Sequence, residues 1–313
     1  MAQKQATIIY NPMSGRPGRR ASKAAEMVRL LGERGISAQA HATAGPNDAT
    51  RLAREAVAEG SGLIISYGGD GTLNEVIQGM AGSRASLAVW AGGTANVVAR
   101  DLSLPVEINR LADVIAAGKT KRIALGLAKK TGGQGSKGTG ELSPLAQTPD
   151  VRYFIMFAGI GLDASIARRV NRRLKRATGE FAYWVEGIRH LLAWQAEPFE
   201  IEVDGKKYES AFALIGNGKG YGGGFSLTPN ARLEDPCFEV YILPRHKRNV
   251  AYLRDLAGCA RGRPEQTSAT IVRGRHITAN SSDQPWVEVD GELIGPLPMS
   301  FEIVPDALSI IVP

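Results

Sequence analysis

The sequence predicts an α/β domain built on a parallel sheet, followed by a β-rich, antiparallel, sandwich-like domain. Three observations carry this. Apolar strand-like runs alternate with amphipathic helical stretches up to about residue 125, the signature of parallel βα units. Several of those runs end in glycine-rich turns that open a helix. Beyond that point strands follow one another with few helices between them. A chain of 313 residues, 43% of them hydrophobic, is long enough to bury the cores of two such domains.

Taken in order, residues 6–10 form an apolar strand that leads through Asn11-Pro12-Met13-Ser14-Gly15 into a helix over 18–34. A strand from Ile36 to Ala42 and a helix over 47–59 follow. The run 62–67 is a buried strand, and a helix over 72–81 places Leu73, Val76 and Ile77 on one face. Residues 86–90 give another strand, and 107–117 the last helix of this domain. The tract 131–140, rich in glycine, loops out of the fold. In the second part 151–158, 199–203, 211–215, 238–243, 269–272 and 287–289 read as strands, with one helical exception over about 164–195. A final strand, 309–312, closes the chain. The expected domains are 1–125 with a returning segment at about 302–313, and 126–301.

The turn between the 62–67 strand and the following helix is the most informative segment. Gly68, Gly69 and Gly71 lack Cβ atoms, so positive φ is open to them and backbone N–H groups can approach a polyphosphate at a helix N-terminus. Asp70 in their midst repels phosphate unless a divalent cation stands between them, which points to Mg²⁺ and its waters; a solvated aspartate in a plain turn is the alternative. Gly92-Gly93-Thr94-Ala95-Asn96 and Asn11 to Gly15 end two further strands. Loops at the carboxyl ends of parallel strands converge on one crevice, so the three frame one ligand.

These motifs resemble the catalytic domain of the diacylglycerol kinase family, and most closely its bacterial soluble lipid kinases. The resemblance rests on Asn11-Pro12-Met13-Ser14-Gly15, Gly68 to Glu75, Gly93-Thr94-Ala95-Asn96 with Ala99-Arg100, Phe157 to Ala164, Gly216-Asn217 with Gly222-Gly223-Gly224 and Pro229, and Asp290-Gly291-Glu292. The Gly-Gly-Asp-Gly-Thr core is shared with NAD kinases and, more loosely, phosphofructokinases, and the continuation Leu73-Asn74-Glu75, with Gly93-Thr94-Ala95-Asn96 and Asp290-Gly291-Glu292, favours the lipid-kinase branch. The resemblance implies ATP and Mg²⁺, a phosphoryl transfer to a lipid hydroxyl, and ATP in the cleft between the domains. It assigns nucleotide contacts to Asn11, Pro12, Gly15, Thr43, Gly68, Gly69, Asp70, Gly71, Thr72, Leu73, Asn74 and Thr94. On residue chemistry alone Thr43, Thr72 and Thr94 are equally turn or capping hydroxyls. It also implies Glu292 as general base, although Asp290-Gly291 reads as well as a hairpin turn with Glu292 facing water. A second Mg²⁺ site is implied at Asp235, with backbone carbonyls of Arg232 and Cys237; Pro236 departs from the family there, and Val97 departs where many relatives carry an acid.

Charge and composition narrow the partners. A net charge of +7 favours anions. Arg168, Arg169, Arg172, Arg173, Lys175 and Arg176 share about half of a helix circumference, either a solvated face or a surface for anionic lipid head groups. No nucleic-acid motif accompanies it. The two cysteines, Cys237 and Cys259, have neither metal-type nor disulfide-framework spacing, the four histidines are scattered, and the start shows no secretory signal. The expectation is a cytoplasmic enzyme, peripheral on the inner membrane face when it meets its lipid, for which a homodimer is an open assembly. An NAD kinase-like enzyme and a catalytically silent nucleotide- or lipid-binding regulator stand as alternatives.

Overall fold

The structure, a computed structural model, describes residues 4–14, 18–131, 150–162, 196–220 and 226–313. Gly15, the glycine tract beyond Thr131, the 164–195 stretch with its six basic residues, and Gly222 to Gly224 lie outside the described residues. The chain divides into two compact units, one made of 1–125, 233–235 and 304–313, the other of 126–232 and 236–303.

The first unit is a parallel α/β layer. Strands β1 (Lys4–Tyr10), β2 (Ile36–Ala42), β3 (Leu63–Gly68) and β4 (Ser86–Ala91) lie in the order β2-β1-β3-β4, all parallel. Ser309 and Ile310, near the end of β16 (Met299–Ile311), add a further parallel partner beside Ser86 and Leu87. The order reverses between β1 and β3, so their carboxyl ends open the crevice where such sheets take ligands. Helices α1 (Arg19–Glu33), α2 (Asp48–Ala58), α3 (Asp70–Met80), α4 (Val97–Asp101) and α5 (Ile108–Ala117) connect the strands. Met27 and Leu31 of α1 and Leu111 and Ile115 of α5 pack with Ile8, Ile65 and Trp90 of the sheet, the burial that holds these short helices. α2 and α3 pack together closely at Gly79, where a Cβ would stand 2.3 Å from the Thr50 carbonyl. Glu107 caps α5 by accepting from the N–H groups of Asn109 and Arg110; the Arg110 amide, then that of Asn109, holds its carboxyl below the usual range.

The second unit is a two-sheet sandwich. One sheet is antiparallel in the order β12 (Thr270–Gly274), β11 (Phe238–Leu243), β10 (Phe212–Gly216), β7 (Phe157–Ile160), β14 (Trp286–Val289), β15 (Glu292–Pro296). The other pairs β9 (Lys206–Ser210), β8 (Phe199–Val203), β13 (His276–Asn280) and the first half of β16. Phe238, Val240 and Ile242 meet Ile201, Ile277 and Phe301 between the sheets. Tyr241 and Leu243, on the opposite face of β11, are covered by Tyr252 and Cys259 of α6 (Val250–Ala260). β10 and β11 are therefore buried on both faces, which is why β10 reads as a continuous apolar run and β11 as one broken only by Glu239.

Several elements depart from the sequence expectation. α6 was not anticipated, and β5 (Thr120–Lys130) was not recognised as a strand. β5 carries Gly126 at its centre, a residue that weakens strand propensity; here the missing Cβ makes room for the Phe154 ring, which would lie 2.1 Å from it. The single strand expected over 151–158 is two, β6 (Val151–Phe154) and β7, broken at Ile155 and Met156.

Candidate functional site

In the first unit the strand register brings the loop sequences together. Tyr10 and Tyr67 are direct neighbours at the ends of β1 and β3. Asn11 N–H donates to Tyr67 O at 3.3 Å, Thr43 N–H to Tyr10 O at 2.9 Å and Gly92 N–H to Gly68 O at 2.8 Å, so the loops after all four strands lie along one edge. Asn11, Pro12, Thr43, Gly69, Asp70 and Thr94 line that edge, partly or fully exposed. Asn11 Oδ1 accepts from Met13 N–H at 2.9 Å, which fixes the turn after β1.

The glycines act differently from the expectation. Gly69 has φ −91°, Gly71 lies inside α3, and none of Gly68, Gly69 and Gly71 has positive φ. Their use is close approach. A Cβ on Gly68 would meet Thr72 at 2.5 Å, and one on Gly93 would stand 2.6 Å from Gly69 Cα. The loops after β3 and β4 thus touch backbone to backbone. Asp70 fastens them: Oδ2 accepts from Asn96 N–H at 3.0 Å and Oδ1 from Val97 N–H at 2.9 Å, capping the N-terminus of α4. Asn96, at φ 47°, closes its own loop by accepting from Gly93 N–H at 2.8 Å and donating from Nδ2 to Gly93 O at 2.9 Å.

The side chains of Thr72, Leu73 and Asn74 are buried. Asn74 Oδ1 accepts from Gln78 Nε2 at 3.2 Å, and Glu75 accepts from Ala49 N–H at 3.2 Å at the start of α2. What the first turn of α3 leaves partly or fully exposed at the edge is Asp70 and Gly71.

In the second unit the acidic signature forms a hairpin. Asp290 (φ 47°) and Gly291 (φ 85°) make the two-residue turn between β14 and β15, with Val289 opposite Glu292, so the hairpin reading of Asp-Gly is realised. Asp290 does more than turn the chain. Its Oδ2 accepts from Ile155 N–H at 2.8 Å, and its Oδ1 from Met156 N–H at 2.9 Å and Phe157 N–H at 3.1 Å, which pins the break between β6 and β7. Glu292 does not simply face water: Arg152 Nη2 donates to its Oε2 within an ion pair, the arginine side chain being 8% exposed and the glutamate 32%.

Comparison with known proteins follows this geometry. Residues 5–128 match the model of the diacylglycerol kinase catalytic domain, and 157–312 that of the YegS C-terminal NAD kinase beta sandwich-like domain. A protein of Bacillus subtilis strain 168 named diacylglycerol kinase is 32% identical over 305 residues, covering 95% of this chain and 93% of its own. The chain belongs to the diacylglycerol kinase family. A Staphylococcus saprophyticus protein of the same name is 31% identical over 96% of this chain and 92% of its own. A crystal structure of a diacylglycerol kinase from Bacillus anthracis strain Sterne superposes with a TM-score of 0.76 at 23% identity, over 100% of this chain and 98% of that one. The α/β domain and β-sandwich architecture is the family fold, and the chain is a kinase of this family.

For this kinase, sequence reasoning missed two residues. Arg20 lies in the first turn of α1, buried, where nothing in its local sequence sets it apart from Arg19. Arg152 is the second residue of β6 and is equally inconspicuous. Of the second metal set, Asp235 falls in the first unit and Arg232 and Cys237 in the second, and Leu233 O accepts from Ala124 N–H at 2.7 Å. Among the described residues no group of three or more His, Cys, Asp or Glu is placed to hold a metal ion.

The contact between Gly69 and Gly93 gives one expected outcome. Replacing Gly93 with Ala forces the two loops apart and costs about 1–3 kcal/mol of stability by overpacking. Chemical denaturation measures this, whereas Gly82→Ala, whose Cβ meets nothing within 4 Å, costs only the strain of its positive φ.

Proposed function

We propose that this kinase transfers the γ-phosphoryl group of ATP to a hydroxyl of diacylglycerol or a related membrane lipid. The observation that carries the reading is the gathering of the Asn11, Gly68 to Asp70 and Gly92 to Asn96 loops on one sheet edge of a chain similar over nearly its whole length to proteins named diacylglycerol kinase. Backbone N–H groups of these loops and the first turn of α3 cradle the phosphates. Glu292 takes the proton from the acceptor hydroxyl, and Arg152 holds its carboxylate in place. The hydroxyl oxygen bonds to the γ-phosphorus as the bond from that phosphorus to the β,γ-bridging oxygen breaks, giving a phosphate monoester and ADP.

Asp70 suits Mg²⁺ that arrives with the phosphates. Each of its oxygens accepts one backbone N–H and keeps a second lone pair, and Mg²⁺ needs only one or two protein carboxylates beside phosphate oxygens and water. When bound, the ion neutralises charge on the phosphates. Free Cys237 and Cys259 suit work in a reducing cytoplasm, at the inner face of the membrane. No helix of the described residues is long and apolar enough to cross a membrane.

The test is to incubate the purified chain with γ-labelled ATP, Mg²⁺, NAD and a total lipid extract and to identify the labelled product. A labelled lipid monoester at the position of phosphatidic acid supports the reading. Label transferred to NAD instead, or to no lipid, overturns it.

A further inference from the structure

Among the described residues, Arg20 is a buried cation with no anion to answer it. It is 6% exposed. Its Nε donates to Ser14 O at 2.7 Å and its Nη2 to Ser14 Oγ at 3.2 Å and to Gly92 O, while its guanidinium carbon lies 4.4 Å from the centre of the Tyr67 ring. Tyr67 is stacked in turn on Trp90, centroids 3.5 Å apart. Nη1 is buried without a hydrogen-bond partner. These neighbours are carbonyls, a hydroxyl and a π face, and among the described residues no carboxylate is ion-paired with it.

Two features make this arrangement unfavourable by itself. A buried charge needs a counter-charge, since neutral acceptors return only part of its lost hydration. Arg20 also sits in the first turn of α1, where the helix already presents positive partial charge and where no acidic residue offsets it. Yet the side chain joins three loops at once: that after β1 through Ser14, the end of β3 through Tyr67, and that after β4 through Gly92. The Gly92 position is kept open for it, since a Cβ there would fall 1.9 Å from Nη1. A positive charge placed at the meeting point of three backbone-rich loops is the electrostatic complement of a polyphosphate.

We propose that Arg20 is the charge anchor of the phosphate site: it holds the three loops in register and supplies the fixed positive charge that the triphosphate of the nucleotide neutralises. This rests on the reading of the edge as a nucleotide site. Arg20 is a positioning residue, and its charge, as well as its hydrogen bonds, carries the effect.

The full chain is compared with Arg20→Gln and Arg20→Lys by thermal unfolding and calorimetric titration against MgATP, tripolyphosphate and adenosine. Arg20→Gln is expected to weaken MgATP and tripolyphosphate by about 30-fold or more, the scale for removing one partner of a buried charge pair, and adenosine by less than about twofold. Arg20→Lys, which keeps the charge and loses the planar fork, falls between. Raising salt weakens MgATP binding to the wild type, and this salt dependence is smaller in Arg20→Gln. Equal weakening of adenosine and MgATP, or Lys failing as completely as Gln, assigns the residue a purely structural part and overturns the proposal. Should Arg20→Gln not fold, the Lys comparison against tripolyphosphate and adenosine decides in the same way. A wild-type chain that binds neither MgATP nor tripolyphosphate removes the nucleotide reading itself, whereas a wild type that binds both and variants that bind them equally well remove only the role of Arg20.

Discussion

Glu292→Gln is expected to lower turnover by about 10²–10⁴-fold, the usual range for loss of a general base, with nucleotide affinity unchanged. The expectation comes from where the residue stands. It opens β15 directly after a left-handed Asp-Gly turn, its side chain is 32% exposed, and one oxygen is held by an arginine that is nearly enclosed. A carboxylate so held has one oxygen committed to position and the other available to a hydroxyl. Glutamine keeps the shape and an acceptor oxygen for Arg152 but cannot take a proton. The arginine loses its ion partner, at a cost of about 1–3 kcal/mol, which a urea titration reads separately from activity. Steady-state kinetics then distinguish the roles: a fall in kcat at constant KM for ATP supports the base, whereas retention of more than about a tenth of wild-type turnover in a folded Glu292→Gln chain rules it out. Arg152→Lys provides the companion measurement. It keeps the charge but not the planar guanidinium that holds Oε2, so it is expected to lower kcat by a smaller factor than Glu292→Gln.

Much of the fold was legible because its signals are local. Continuous apolar runs such as Leu63–Gly68 and the helical periodicity of Ile108–Ala117 depend only on neighbouring residues, and each element lies within two residues of the predicted span. The convergence of loops at the strand ends was legible too, because it follows from parallel topology and not from any one side chain. What the chain hides is whatever depends on distant partners. Gly126 reads as a strand breaker until the Phe154 ring appears beside it. Asp290 reads as a turn residue, yet its carboxylate collects three N–H groups more than a hundred residues away in sequence. The glycines around Asp70 were legible as essential, but for another reason: the expected property was positive φ, and the observed one is contact with Gly93 and Thr72. Arg20 and Arg152 carry no local mark at all, since an arginine at the start of a helix or strand is ordinarily a solvated residue.

Asp70→Asn is expected to abolish most of the activity, and the structure separates two causes for the loss. Asp70 is acceptor-only, and both oxygens receive backbone N–H groups, from Asn96 and Val97. Asparagine offers one acceptor and one NH₂ group, so one of those N–H groups faces a donor. The lost bond and the donor clash together cost about 1–3 kcal/mol and loosen the loop of Gly92 to Asn96 from the first turn of α3. Loosening alone weakens ATP by the same factor whether or not magnesium is present. The second cause is charge. If Asp70 also holds Mg²⁺ through its remaining lone pairs, its neutralisation removes part of the magnesium-dependent affinity, so the loss measured with Mg²⁺ exceeds the loss measured in EDTA. The expected result is this unequal loss, together with a fall in kcat of about 100-fold or more, as is usual when fixed electrostatic stabilisation of a transition state is withdrawn. Equal ratios in the two buffers would leave Asp70 as a fastener of two loops and no metal residue. Asn96→Ala isolates the fastening by itself: it removes the side chain that closes the same loop and leaves the Asp70 charge in place, so its loss is expected to be independent of magnesium.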